Sequence, residues 1–308
     1  TDPERMTIFV DASKANDNGN GLSWTNAKRT LQAGLDLSAS GDQIWVKAGT
    51  YLPTNQVGGT GERYRTFQMK NGVEIYGGFA GDENPLTFDL ANRDITANET
   101  ILSGDIGTIG DSSDNCYHVL YNPDGLGLTS SSVLDGFTIS GANADGGVQP
   151  HYLGGAIYID NSSPVIRNCW LKNNSAGNGS ALFLSASSSE FVNVIVSNNE
   201  ATSYGTIFIQ GASSPVFNNN LIYDNTANFY GAGILNFSDG AVEIINTTIA
   251  NNAVIGGSGN GGGLYNISSG TVNFKNSILW GNTADAESNQ GNQIFVSSGT
   301  VNLSYCNI

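Results

Sequence analysis

From residue 134 onward the apolar positions of the chain fall into columns that repeat every 25 to 30 residues. One column reads Leu134, Ile166, Phe191, Phe217, Ile244, Phe274 and Leu303. A second, five residues on, reads Ile139, Leu171, Val196, Ile222, Ile249, Leu279 and Ile308. A third segment alternates, with Ile157, Leu182, Ile207, Leu235, Tyr265 and Ile294 two places before Ile159, Leu184, Ile209, Phe237, Ile267 and Val296. Period two inside a repeat predicts strands, and a long fixed period between repeats predicts a solenoid. Each repeat reads as one coil of about three short strands, stacked on the next by parallel pairing.

Polar positions repeat on the same count. Asn168, Asn193, Asn219, Asn246 and Asn276 recur at steps of 25, 26, 27 and 30 residues, and Asn174, Asn199, Asn225, Asn252 and Asn282 recur at the same steps. A chain that turns sharply inside a coil leaves backbone groups without ladder partners, and stacked carboxamides satisfy them. The first set is expected to form one internal ladder. Between the two inward columns of the third segment stand Tyr158, Phe183 and Phe208, then Asn236, Asn266 and Phe295. Alternation turns the first three outward on consecutive coils, a candidate platform for sugar rings or a protein partner. The competing expectation is that the insertion "GANADGGVQPHYLG", residues 141–154, folds over them.

The first 50 residues break the pattern. "TIFVDAS" reads as a strand and "SWTNAKRTLQAGLDLS" as an amphipathic helix with Trp24, Ala27, Leu31 and Leu35 on one face. Such a helix would cap the open end of the core, where unpaired strand edges invite association. One elongated domain over residues 1–308 is predicted: a cap and first coil over 1–50, irregular coils with long loops over 51–133, and regular coils over 134–308. "VNLSYCNI" stops inside a coil, so further C-terminal chain is expected.

Net charge is −15 with 12 Lys plus Arg, too few and too scattered for nucleic acid or anionic lipid. Neither a membrane-spanning apolar run nor a signal peptide is legible, and a mature chain would look the same. Cys169 and Cys306 share a column five coils apart, roughly 24 Å at about 4.8 Å per coil, beyond disulfide reach. No Cys-x-x-Cys pattern marks a zinc or redox site.

The stretch from "IFVDASKANDNGNGLSW" onward resembles the opening of secreted bacterial right-handed parallel β-helix proteins, a group that includes polysaccharide lyases. The repeats resemble those of polymorphic outer-membrane proteins, through Gly154-Gly155-Ala156-Ile157 and the loose Phe-x-x-Asn equivalents at Leu171–Asn174, Ile222–Asn225 and Leu279–Asn282, where an aliphatic residue replaces Phe. The resemblance implies an all-β, right-handed parallel β-helix that is secreted or displayed at the cell surface, with adhesive roles common.

A lyase needs cationic groups to neutralise a uronate carboxylate and a base to take the neighbouring proton. The candidates are Lys47, Arg63, Tyr64, Arg65, Lys70 and His118, with no spacing that demands contact; Arg167, Lys172 and Lys275 are the remaining cations after residue 140. A glycosidase needs facing carboxylates, and Asp135 and Asp160 fall in different columns. Asp105, Asp111 and Asp114 offer the hard oxygens calcium prefers, with solvated polar turns as the simpler reading. The sequence therefore favours a β-helix that recognises a polysaccharide or a surface protein, with a uronate lyase as the alternative.

Overall fold

The computed structural model describes residues 5–257, 259–284 and 291–308. Its strands form four parallel sheets of ten, eight, six and seven strands, each joining strands one coil apart, plus one antiparallel pair, Asn55–Gln56 with Arg65–Thr66. One coil runs through Val165–Arg167, Trp170–Lys172, Ser175–Asn178 and Leu182–Ser185 before entering the next at Glu190–Val192. A coil thus has four strands where alternation predicts about three. The extra one is short and Ala-centred, as in Asn143–Ala144 and Thr226–Ala227, too brief to show a period.

The first two apolar columns pair in register. Leu134, Ile166, Phe191, Phe217, Ile244, Phe274 and Leu303 are successive partners, and Ile139 through Leu279 behave alike. Phe191 and Phe217 stack at 4.9 Å inside the core. Burying each such side chain stabilises by about 1.5–3 kcal/mol.

The third column needs a correction. Ile207 pairs with Ile234, and Ile234 with Leu264, so Leu235 and Tyr265 face outward and Asn236 and Asn266 face inward. These two asparagines are fully buried, and Asn236 Nδ2 donates to Asn266 Oδ1 at 2.7 Å. Inward carboxamides are tolerated because they satisfy each other.

Two kinds of asparagine row exist, and the expected one is not the internal one. Asn168, Asn193, Asn219, Asn246 and Asn276 do stack, but on the outer corner. Each holds a positive φ of 50–58°, and all but the half-buried Asn168 are exposed. Asparagine suits this corner because it tolerates the left-handed region. The internal ladder is Asn174, Asn199, Asn225, Asn252 and Asn282, all at most 2% exposed, each Nδ2 of the first four donating to the next Oδ1 at 2.9–3.0 Å.

The capping helix is Leu31–Leu37, capped by Thr30, whose side chain accepts from the Ala33 amide. Leu31 and Leu35 join the main core. Trp24 precedes the helix and packs instead against Phe9 at 4.7 Å and Phe79 at 5.8 Å, its indole donating to Glu83 O. The apolar spacing of 24–35 therefore serves two clusters, not one helical face.

Candidate functional site

The cationic and basic candidates fall into two groups, one scattered and one gathered round Tyr117 and His151. Lys47 pairs with Asp11 at 3.4 Å, Arg65 with Glu62 at 2.7 Å, and Lys70 donates to the carbonyls of Leu35 and Ser38 at the end of the capping helix. Arg63 donates to Asn115 O, Asn143 O and Asp145, and lies 4.2 Å from the Tyr117 ring centre. Tyr64 packs on Tyr117 and His151. His118 is buried, with Nδ1 against Gly154 O at 3.0 Å. Burial, reinforced by His151, pushes its pKa down to about 4 despite opposing backbone hydrogen bonds. Lys47, Arg65 and Lys70 stand apart, whereas Arg63, Tyr64 and His118 gather round Tyr117 and His151, with His118 6.0 Å from His151 between ring centres and Arg63 committed to backbone carbonyls and Asp145.

The three aspartates are likewise turn-formers. Asp105 accepts from the Gly110 amide, Asp111 from the Ser113 amide and hydroxyl, and Asp114 from the Thr108 amide. Among the described residues no three His, Cys, Asp or Glu side chains group as a metal site. Cys116 and Cys169 are buried free thiols, each pushed up to about 12 by burial.

The outward aromatic column is longer than its sequence signal, and half of it is covered. Tyr158, Phe183 and Phe208 stack at 5.0 and 5.6 Å, Tyr121 lies tilted against Tyr158 at 5.1 Å, and after Leu235 the column resumes with Tyr265 stacked on Phe295 at 5.1 Å. Tyr158 and Phe183 are 8% and 1% exposed, packed with Leu153, Tyr152 and Val57. The insertion over 141–154 therefore covers these two, and they are not a platform. Near-parallel rings at this spacing also turn their faces toward each other, so the column presents ring edges.

Beyond the insertion lies a trough of about 270 Å³ lined by Tyr204, Phe208, Gln210, Tyr230, Leu235, Phe237, Tyr265 and Ile267, of which Leu235 and Tyr265 are themselves only 5% and 6% exposed. Tyr204 stacks on Tyr230 at 5.8 Å, and Tyr230 on Tyr265 at 4.7 Å, forming one wall; Phe237, 51% exposed, belongs to the lining beyond Leu235. The three tyrosine hydroxyls have no hydrogen-bond partner among the described residues. Glycines set this corner. Gly205, Gly231 and Gly261 hold φ of 56–71°, and a Cβ on Gly261 would lie 2.7 Å from Tyr265 Cβ. Four residues past Gly154, Gly179, Gly231, Gly261 and Gly291 come Tyr158, Phe183, Leu235, Tyr265 and Phe295. Aligning on these glycines is the signal that finds Tyr265 and the trough.

A larger groove of about 460 Å³ lies at the asparagine corner, under the loop that carries Ile95, Thr96 and Glu99. Several of its polar groups are already matched. Lys172 Nζ lies 3.9 Å from the Trp170 ring centre and 3.5 Å from Glu99, Thr138 Oγ1 donates to Glu99, and the indole N–H donates to Ser197 Oγ.

A family model described as right handed beta helix region matches residues 124–308. Among solved structures, a pectate lyase, Pel9A, is similar with a TM-score of 0.60 and 15% identity, covering 94% of this chain and 66% of that one. A rhamnogalacturonan lyase is similar with a TM-score of 0.53 and 17% identity, covering 89% of this chain and 68% of that one. The chain spans just under two thirds of the length of the pectate lyase. At these identities the likeness is one of fold. A search of curated proteins returns no match. No helix among the described residues is long and apolar enough to cross a membrane.

Proposed function

This chain belongs to the right-handed β-helix family, and from that premise we propose that it recognises an extended polysaccharide along its lateral face without cleaving it. The observation that carries the reading is the trough of Tyr204, Phe208, Tyr230, Tyr265 and Phe237, which spans several coils. The exposed ring of Phe237 offers an apolar surface to the C–H face of a sugar, while the stacked tyrosines present edges and hydroxyls that, with the Gln210 amide, supply the few directional contacts that orient a ligand. Because coils repeat at about 4.8 Å, a chain of linked pyranoses laid along the axis meets Tyr204 and Tyr230 from successive coils.

A secreted or cell-surface location belongs to the same proposal, and the fold shared with polysaccharide lyases supports it. The absence of catalysis rests on the pairing of Lys47, Arg63, Arg65 and Lys70 with structural partners and on the burial of His118. The test is a glycan array probed with the intact chain and with Phe237→Ser, a change at an exposed position. Binding lost in the variant supports the reading. An array without signal, or a signal indifferent to Phe237, contradicts it. Incubation with uronate polysaccharides is expected to give no near-ultraviolet absorbance from unsaturated ends.

A further inference from the structure

We infer that the trough takes an uncharged glycan and rejects uronate-containing chains, an inference that rests on the glycan-binding reading above. The first observation is a long gap in the distribution of cations. The 102 residues between Lys172 and Lys275 contain no Lys, Arg or His, and every residue lining the trough lies inside that gap. The same stretch holds five acids, Glu190, Glu200, Asp224, Asp239 and Glu243.

Two of those acids are close in sequence to the trough. Glu200 begins the strand Glu200–Tyr204 that ends in one of the wall tyrosines. Asp239 follows Phe237 by two residues and accepts from the hydroxyls of Ser268 and Ser269 at 2.9 Å each. A carboxylate-bearing sugar entering here would give up hydration, with no guanidinium or ammonium among the lining residues to offset the loss. A chain with only hydroxyls makes no such demand. Its C–H faces meet Phe208 and the exposed Phe237, and its hydroxyls meet Gln210 and the hydroxyls of Tyr204 and Tyr230.

The cationic side of the molecule gives the contrast. Arg93, Arg167 and Lys172 sit at the other corner of the coil, but Arg93 and Arg167 both pair with Asp135, at 2.9 and 2.7 Å, and Lys172 pairs with Glu99. The molecule therefore separates its apolar, cation-free binding surface from its few cations, and the first is suited to neutral sugar.

The experiment is calorimetric titration of the intact chain with cellohexaose and mannohexaose as neutral probes and hexagalacturonate as the anionic one, each at low and high sodium chloride. Expected is binding of a neutral hexasaccharide that is insensitive to salt and weakened about tenfold by Tyr230→Ala. Phe237→Ser should act alike, and thermal melting of both variants excludes loss of fold. Gln210→Lys, which places a cation in the lining, should create salt-sensitive affinity for hexagalacturonate. Tight binding of hexagalacturonate by the unaltered chain, abolished by Tyr230→Ala, would overturn the uncharged class while keeping the trough as a glycan site. No binding of any of the three probes would overturn both.

Discussion

Asn199 Nδ2 donates to Asn225 Oδ1 at 3.0 Å, and the Asn199 backbone amide donates to the same oxygen, also at 3.0 Å. The Asn199 carboxamide also reaches back to Leu171 O and Ser197 O. Each rung therefore satisfies backbone groups of its own coil and of a neighbour, which locks coil to coil at a corner between sheets.

Replacing Asn225 by Ala should consequently cost about 3 kcal/mol or more, since it strands the buried Asn199 amide and the Val196 carbonyl. Asn219→Gly on the outer row should cost well under about 1 kcal/mol, because glycine adopts the same positive φ. Urea unfolding of the two variants separates the ladders; equal losses would contradict their different roles.

These rows also mark where the sequence is legible. Period and column position alone reveal the coils, the first two apolar columns and both asparagine rows. They do not say which row is inside, because a left-handed corner and a buried ladder select the same residue for different reasons, conformation at Asn219 and hydrogen bonding at Asn225. The register slip at Leu235 hides Tyr265 behind an apparently inward column, and covering of Phe183 by residues far from it in sequence is a tertiary fact that alternation cannot carry.

Asp135 is 1% exposed and bridges Arg93, Arg167 and the Asn168 side chain. Removing it as Asp135→Ala leaves the Arg93 guanidinium, whose side chain is 5% exposed, without its counter-ion. The expected loss is about 3–5 kcal/mol, measurable as a lowered melting temperature. Arg167→Ala, at a 40% exposed partner, should cost much less.

Stability should fall with acid through His118. Its folded pKa of about 4 lies below the ordinary 6.5, so between those values the unfolded chain binds more protons, and this contribution weakens as pH drops from about 6.5 to about 4. His151, which burial also depresses, adds in the same direction; Tyr64, Tyr117, Tyr121 and Tyr158 pack around the pair, and Arg63 stands over Tyr117. His118→Phe, which keeps the ring stack on Tyr121, should remove about 3 kcal/mol of that pH dependence. Paired denaturation curves at both ends of the window check it, and an unchanged slope would count against the assignment.

Phe183→Ser tests the covering of the aromatic column. At 1% exposure under Leu153 and Tyr152 the change should destabilise by about 3 kcal/mol and leave glycan affinity as it was. Phe237→Ser should do the reverse. Melting curves and titrations of both variants give the comparison, and an altered affinity in Phe183→Ser would mean that the insertion opens.

The account as a whole turns on where a sugar chain lies. A crystal structure of the protein with a bound neutral hexasaccharide is the most direct measurement. The prediction is density running across Tyr204 and Tyr230, in contact with Phe237 and Gln210. Density lodged instead in the groove between Glu99, Trp170 and Lys172 would contradict it.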